Sequence, residues 1–169
     1  MRVFLLMFVT AIALALTAGA EERSKSEAAP EGNTVCTFGD GEQLSIRYPQ
    51  VPYSKTELPN GKMWTPGQQP IYLFSQTNFE FGSAKIQPGA YSLYLIPGEQ
   101  TWTLVLNRGV QKDSPYDPNQ DLGKLQAQTG KLSNPSQTLS LYFGRIAPDK
   151  CTLRIDYGKE RAFADFKQN

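Results

Sequence analysis

Residues 85–108, KIQPGAYSLYLIPGEQTWTLVLNR, hold two apolar-aromatic runs separated by one Pro-Gly pair and preceded by another. Successive side chains of an extended chain point to opposite faces. Tyr91, Leu93 and Leu95 therefore share one face, with Ser92, Tyr94 and Ile96 on the other. In the second run Trp102, Leu104 and Leu106 alternate with Thr101, Thr103 and Val105. Strands apolar on both faces belong inside a sheet rather than at its margin. Pro97-Gly98-Glu99-Gln100 reads as the turn that joins them. At Pro88-Gly89, proline pre-sets φ and glycine takes the positive φ of a type II turn. The stretch thus predicts a central hairpin with strands over 91–96 and 101–107.

The same period of two recurs on both sides of that hairpin. Leu44, Ile46 and Tyr48 alternate with Ser45 and Arg47, and short strands are expected over 71–74 and 79–81. Further on, Leu125 and Ala127 alternate within 124–129, and Leu139, Leu141 and Phe143 alternate with Ser140 and Tyr142. Cys151, Leu153, Ile155 and Tyr157 follow the same rule, and 162–166 closes the chain with Phe163 and Phe166 turned inward. Residues 51–67, with Pro52, Pro59, Pro66 and Asn60-Gly61, read as an irregular loop carrying Trp64. No sustained period of 3.6 residues appears beyond the first twenty positions. The expectation is one all-β domain over 36–169, an antiparallel β-sandwich or flattened barrel of about eight to nine strands.

The amino terminus reads as an export signal. Arg2 is followed by an apolar run over 3–16 and by Ala18-Gly19-Ala20, which places cleavage between Ala20 and Glu21. The run is short for a bilayer span of about 20 residues, and it ends in small residues before Glu21-Glu22. Residues 1–20 are therefore expected as a signal peptide and 21–35, polar and small, as a disordered linker. The chain holds 17 basic and 16 acidic residues, and Arg2 is the one charge ahead of the cleavage point. A balanced charge with no basic run argues against a nucleic-acid partner, and no later segment suits membrane insertion. The expected location is periplasmic or extracellular.

Cys36 and Cys151 are the two cysteines. In an oxidising compartment they read as a disulfide; the other reading is two buried thiols on separate strands. There is no histidine, which removes Ser-His-Asp and Cys-His catalysis and the histidine-containing zinc sites. No cofactor is expected.

QPGAYSLYLIPGEQTWTLVLNR resembles the DUF2911 family of secreted bacterial proteins of unknown function, whose members carry a P-x-G-x-Y-S-L…I-P-G…W-T…N segment. CTFGDGEQLSIRY (36–48) is similar to the family's opening strand with its D-G turn. NGKMW (60–64) resembles its G-x-x-W piece, SPYDPNQDLGKL (114–125) its Y-D-P-x-x-D piece, and KLSNPSQTLSLYF (131–143) the strand that follows. The pieces are collinear over most of 36–157. The resemblance implies a fold and an extracytoplasmic address, and no reaction. After Trp64 the family's arginine and G-A-N-like stretch are replaced by Thr65-Pro66-Gly67-Gln68-Gln69, and the basic glycine-rich segment before Trp64 is missing.

Carboxylate catalysis is the main enzymatic option left, and glycoside hydrolysis needs two carboxyls across a sugar ring. Glu42, Glu57, Glu80, Glu99, Asp113, Asp117, Asp121 and Asp156 are available, but most lie in or beside turns where solvation alone explains them. Glu80, between Phe79 and Phe81, reads as the outward residue of an alternating strand. Asp113, Ser114, Asp117, Asn119 and Asp121 gather oxygens in one loop without the order of a calcium-binding loop, and no metal is expected. Trp64, Tyr72 and Tyr53, with Phe74 nearby, are the candidate ligand-binding residues. On a sandwich edge they would stack a sugar or grip a peptide; alternatively Trp64 plugs the end of the core. The function expected is a non-catalytic binding or structural module of the cell envelope, taking an unknown small molecule, glycan or peptide. The alternative is a carboxylate-dependent hydrolase acting outside the cytoplasm.

Overall fold

The computed structural model describes residues 30–110 and 115–169. The expected signal peptide, its cleavage point at Ala20 and Glu21, and residues 21–29 of the linker lie outside the described residues. The strands are β1 (Glu31–Thr37), β2 (Gln43–Pro49), β3 (Ile71–Ser75), β4 (Phe79–Phe81), β5 (Ala84–Ile86), β6 (Gly89–Ile96), β7 (Thr101–Asn107), β8 (Asp121–Ala147) and β9 (Lys150–Gln168). They form one antiparallel sheet in the order β1-β2-β3-β6-β7-β8-β9-β4-β5. The all-β antiparallel fold with eight to nine strands is what the chain adopts.

The hairpin of β6 and β7 lies between β3 and β8, inside the sheet. Leu93, Leu95, Trp102, Leu104 and Leu106 are essentially fully buried, and so is Val105 on the opposite face. The Pro88-Gly89 expectation needs correcting. Gly89 is not in the left-handed region; it opens β6 opposite Ser75, and a Cβ there would press on the Tyr91 ring. The left-handed glycine of the family's D-G turn is Gly41, at φ 95.

The linker boundary is also corrected. Residues 31–35 are already part of β1, whose inward positions are Gly32, Thr34 and Cys36. Gly32 admits the Tyr48 ring against the backbone, and Thr34 Oγ1 accepts a hydrogen bond from Phe143 N at 2.8 Å. Small and polar residues facing inward hide the alternation from a hydrophobicity reading.

Each of the two last strands unites two expected shorter ones. Thr152 and Asp165, thirteen positions apart on β9, would be about 43 Å apart in a straight strand. Instead Thr152 Oγ1 donates to Asp165 Oδ1 at 2.5 Å, and Gln168 N donates to Asp149 O at 2.8 Å. Strand β9 therefore doubles back on itself. Gly158, at φ 56, lies at the middle, opposite the register shifts of β8 between Lys131 and Ser140. The bend returns the second half of β8 to the first edge of the sheet. There Leu139 N donates to Val51 O and Tyr53 N to Gln137 O, both at 2.8 Å.

The result is a flattened, two-layered wrap around one core, to which every strand contributes, from Cys36 and Leu44 to Phe79, Ile86 and Phe166. A disulfide between Cys36 of β1 and Cys151 of β9, with Cα atoms 6.4 Å apart, fastens the two layers. Of the two terminal phenylalanines only Phe166 faces the core. Phe163 is half-buried on the other face, as an odd separation of three positions on a strand requires.

Candidate functional site

Residues 52–64 cannot form a ladder, because Pro52 and Pro59 lack the N–H it needs. The segment is instead pinned at its ends, by single bridges of Pro52 to Thr138 and of Trp64 to Leu95. Trp64 N donates to Leu95 O and Gly61 N to Pro97 O, both at 2.7 Å. The segment so spans one end of the core, from β8 to the β6–β7 turn. Together with that turn and residues 157–160 of β9 it encloses a cleft of about 440 Å³.

The floor of the cleft is aromatic. Tyr53 meets Tyr157 edge-on, with ring centroids 5.3 Å apart at 89°, and Trp102 lies beside them. Tyr157 is held in place by its hydroxyl, which donates to Pro52 O at 3.1 Å and accepts from Ser54 N at 3.3 Å. The Tyr53 ring lies directly on Gly158, where a Cβ would occupy the space of the ring. One glycine thus serves both the bend of β9 and the seat of Tyr53.

The rim is polar and of mixed sign: Lys55, Glu57, Asn60, Glu99, Lys131, Lys159 and Glu160. Lys131 and Glu160 pair with each other, and Asn60 Nδ2 donates to Glu99 Oε1 at 3.3 Å. Lys55, Glu57 and Lys159 make no ion pair among the described residues. Lys55 has a left-handed backbone at φ 60, a conformation that costs a non-glycine residue about 1 kcal/mol. The turn that holds it is locked by a 2.6 Å hydrogen bond between the hydroxyls of Ser54 and Thr56.

The three candidate ligand-binding residues do not meet. Tyr53 is in the cleft. Trp64 lies behind the floor, half-buried, with its ring 4.8 Å from that of Tyr157 and 6.2 Å from that of Trp102. Tyr72 is elsewhere, on the outer face of β3, because Ile71, Leu73 and Ser75 take the inner one. Its ring neighbours Phe74, over which the Arg47 guanidinium sits at 5.7 Å. The aromatic floor is completed by Tyr157 and Trp102, both assigned to core-facing positions by their alternation. That assignment is correct; what alternation omits is that both lie where the core opens.

Among the carboxylates, Glu57, Glu99 and Glu160 line the cleft; Glu57 and Glu99 are exposed. Glu80 is half-buried on β4 opposite Lys85. Asp156 is buried outside the cleft lining and accepts two hydrogen bonds from Arg161, at 2.7 and 2.8 Å. That bond holds the guanidinium in its charged form and raises the Arg161 pKa. Asp113 and Ser114 lie outside the described residues.

A second polar cluster joins two motif pieces. Asn107, at 1% exposure, donates from Nδ2 to Asp117 O at 2.8 Å and Asp121 Oδ1 at 2.9 Å, and accepts from Gly109 N at 2.8 Å. Tyr116 donates to Asp121 Oδ2 at 2.7 Å and packs edge-on against Tyr94, with ring centroids 4.9 Å apart. Burial, then the Asp121 carboxylate, push the Tyr116 pKa up to about 12. Asp117, accepting from Asn119 N, is held below the usual carboxylate range. These bonds tie the 115–121 segment onto the outer face of β6 and β7, and a shallower cleft of about 240 Å³ lies beside them. Among the described residues no group of three His, Cys, Asp or Glu side chains is placed to hold a metal ion. None of their helices is long and apolar enough to cross a membrane.

No curated protein and no solved structure matches the chain. Residues 33–165 match the family described as protein of unknown function (DUF2911). The chain belongs to that family.

Proposed function

We propose that this DUF2911 protein is a non-catalytic binding module of the bacterial cell envelope, exported and released, whose ligand sits in the cleft beneath residues 53–60. One observation carries the reading. An aromatic floor of Tyr53 and Tyr157 is ringed by side chains, Lys55, Glu57 and Lys159, that have no ionic partner within the described chain. Concave sites with an apolar base and a few convergent polar groups are where small ligands bind. The strained backbone at Lys55 adds to this, since such conformations persist where function holds them.

The hydrolase alternative needs a carboxylic acid kept protonated by burial, opposite a carboxylate base. Glu57 and Glu99 are exposed, and Glu160 is neutralised by Lys131, so the cleft offers no such pair. The disulfide is compatible with export to an oxidising compartment. The test is a thermal-shift panel of glycans, short peptides and divalent ions on the purified protein, repeated on Tyr53→Ala. Stabilisation by a ligand that disappears in the variant is expected; stabilisation that survives it places the ligand elsewhere and refutes the reading.

A further inference from the structure

We infer that the ligand of this cleft is a short neutral oligosaccharide, an inference that rests on the binding reading above. The argument begins with the sign of the rim. Lys55, Lys131 and Lys159 face Glu57, Glu99 and Glu160 around one opening, so the lining carries equal numbers of each charge. An anionic ligand would bring its charge against three carboxylates, and a cationic one against three ammonium groups. Each would meet like charges on the rim as well as opposite ones, so the rim favours neither sign.

A hydroxyl both donates and accepts. A ligand rich in hydroxyls and free of charge donates to Glu57 and Glu99, accepts from Lys55 and Lys159, and does both with the Asn60 amide. No ligand charge then faces a like charge on the rim. The floor fits the same ligand. Tyr53, backed by the buried Tyr157 ring, offers ring surface to the C–H face of a sugar, the kind of contact that amphipathic aromatics make without a formal charge. The volume of about 440 Å³, near the lower end of small-molecule clefts, has room for about two sugar rings.

A peptide is the competing occupant. Extended peptides usually bind by adding a strand to a free sheet edge. Here the edge strands are β1 and β5, and no residue of either lines the cleft. Its walls are a proline-broken segment and a turn, which recognise by side chains.

The experiment is calorimetric titration of the purified protein with neutral di- to tetrasaccharides of gluco, galacto, manno and xylo configuration. Parallel arms use uronate disaccharides and tripeptides. A neutral saccharide is expected to bind, with an affinity constant within about twofold between about 50 and 500 mM salt, because no ligand charge is screened. Tyr53→Ala is expected to weaken it about tenfold, as loss of an aromatic contact does, while Tyr53→Phe stays within about threefold of the parent. The double rim variant Glu57→Gln/Lys159→Met alters exposed side chains that make no ion pair among the described residues, so it is expected to fold and to weaken binding about fivefold or more. Salt-sensitive binding of the uronates or tripeptides alone, lost in Tyr53→Ala, overturns this inference and leaves the cleft as the binding site. Saccharide binding unchanged in both the Tyr53→Ala and the rim variant overturns the inference and the cleft together, as does binding in no arm.

Discussion

Gly158→Ala tests the joint between the fold and the cleft. At φ 56 an alanine is in left-handed backbone, which costs about 1–2 kcal/mol. Its Cβ would also enter the space of the Tyr53 ring, which would have to shift. Overpacking against a ring that is only half-buried costs about 1–2 kcal/mol, the lower part of the usual range. The two effects act on different atoms, so together they predict a loss of about 2–4 kcal/mol. For a domain of this size each kcal/mol is about 3 °C, so the melting temperature should fall by about 6–12 °C. Gly130→Ala is the control: ordinary backbone, with nothing within 4 Å of the added Cβ. It is expected within about 2 °C of the parent, since substitutions into open space change stability by about 0.5 kcal/mol or less. Thermal unfolding followed by circular dichroism reads both. If Gly158→Ala melts with Gly130→Ala, then neither the bend nor the seat of Tyr53 depends on this glycine, and the reasoning fails.

Three further outcomes are expected. Replacing Cys36 and Cys151 by alanine opens a crosslink spanning 115 positions, to which loop entropy assigns about 4.8 kcal/mol as an upper figure, so denaturant titration should show a loss of about 2–5 kcal/mol. Asn107→Ala leaves Asp121 Oδ1 and Gly109 N without partners, while Asp117 O keeps Gln120 N, and should lose about 2–4 kcal/mol by the same titration. Tyr116 is held neutral to about pH 12 against an ordinary 10.0. Its raised folded pKa means that its contribution is complete below pH 10 and is lost as pH rises toward 12. Tyr91 and Tyr94 are also raised by burial, so an ultraviolet titration should show a late phase of several tyrosines that Tyr116→Phe shortens by one; a tyrosine count unchanged in that late phase would contradict the assignment.

Much of the fold is legible because alternation reports burial directly. The runs at Leu44–Ile46–Tyr48 and Leu139–Leu141–Phe143 are inward because every second residue is large and apolar. Alternation fails at β1, where the inward residues are Gly32, Thr34 and Cys36, and at β5, where three residues are too few to show a period. It also cannot show that β8 and β9 are continuous, because the break in pattern near Gly158 is a bend rather than a loop.

The cleft was harder to read. Tyr53 was legible as an aromatic in a proline-rich segment. Proximity in sequence groups Tyr72 with it, yet alternation on β3 already assigns Tyr72 to the face opposite Ile71 and Leu73. Nothing in the local pattern singles out Lys159 and Glu160, and only the bend of β9 brings them to the same opening as Glu57 and Glu99. The absent arginine after Trp64 has a structural counterpart: Thr65 to Gln69 form a tight turn with Gly67 and Gln68 both left-handed.

Mapping amide shifts of the isotope-labelled protein during titration with a neutral oligosaccharide tests the central claim most directly. Perturbations confined to residues 53–60, 97–99 and 157–160 are the predicted result. Perturbations centred on Tyr72 and Phe74 of the outer face, or none at saturating sugar, would contradict it.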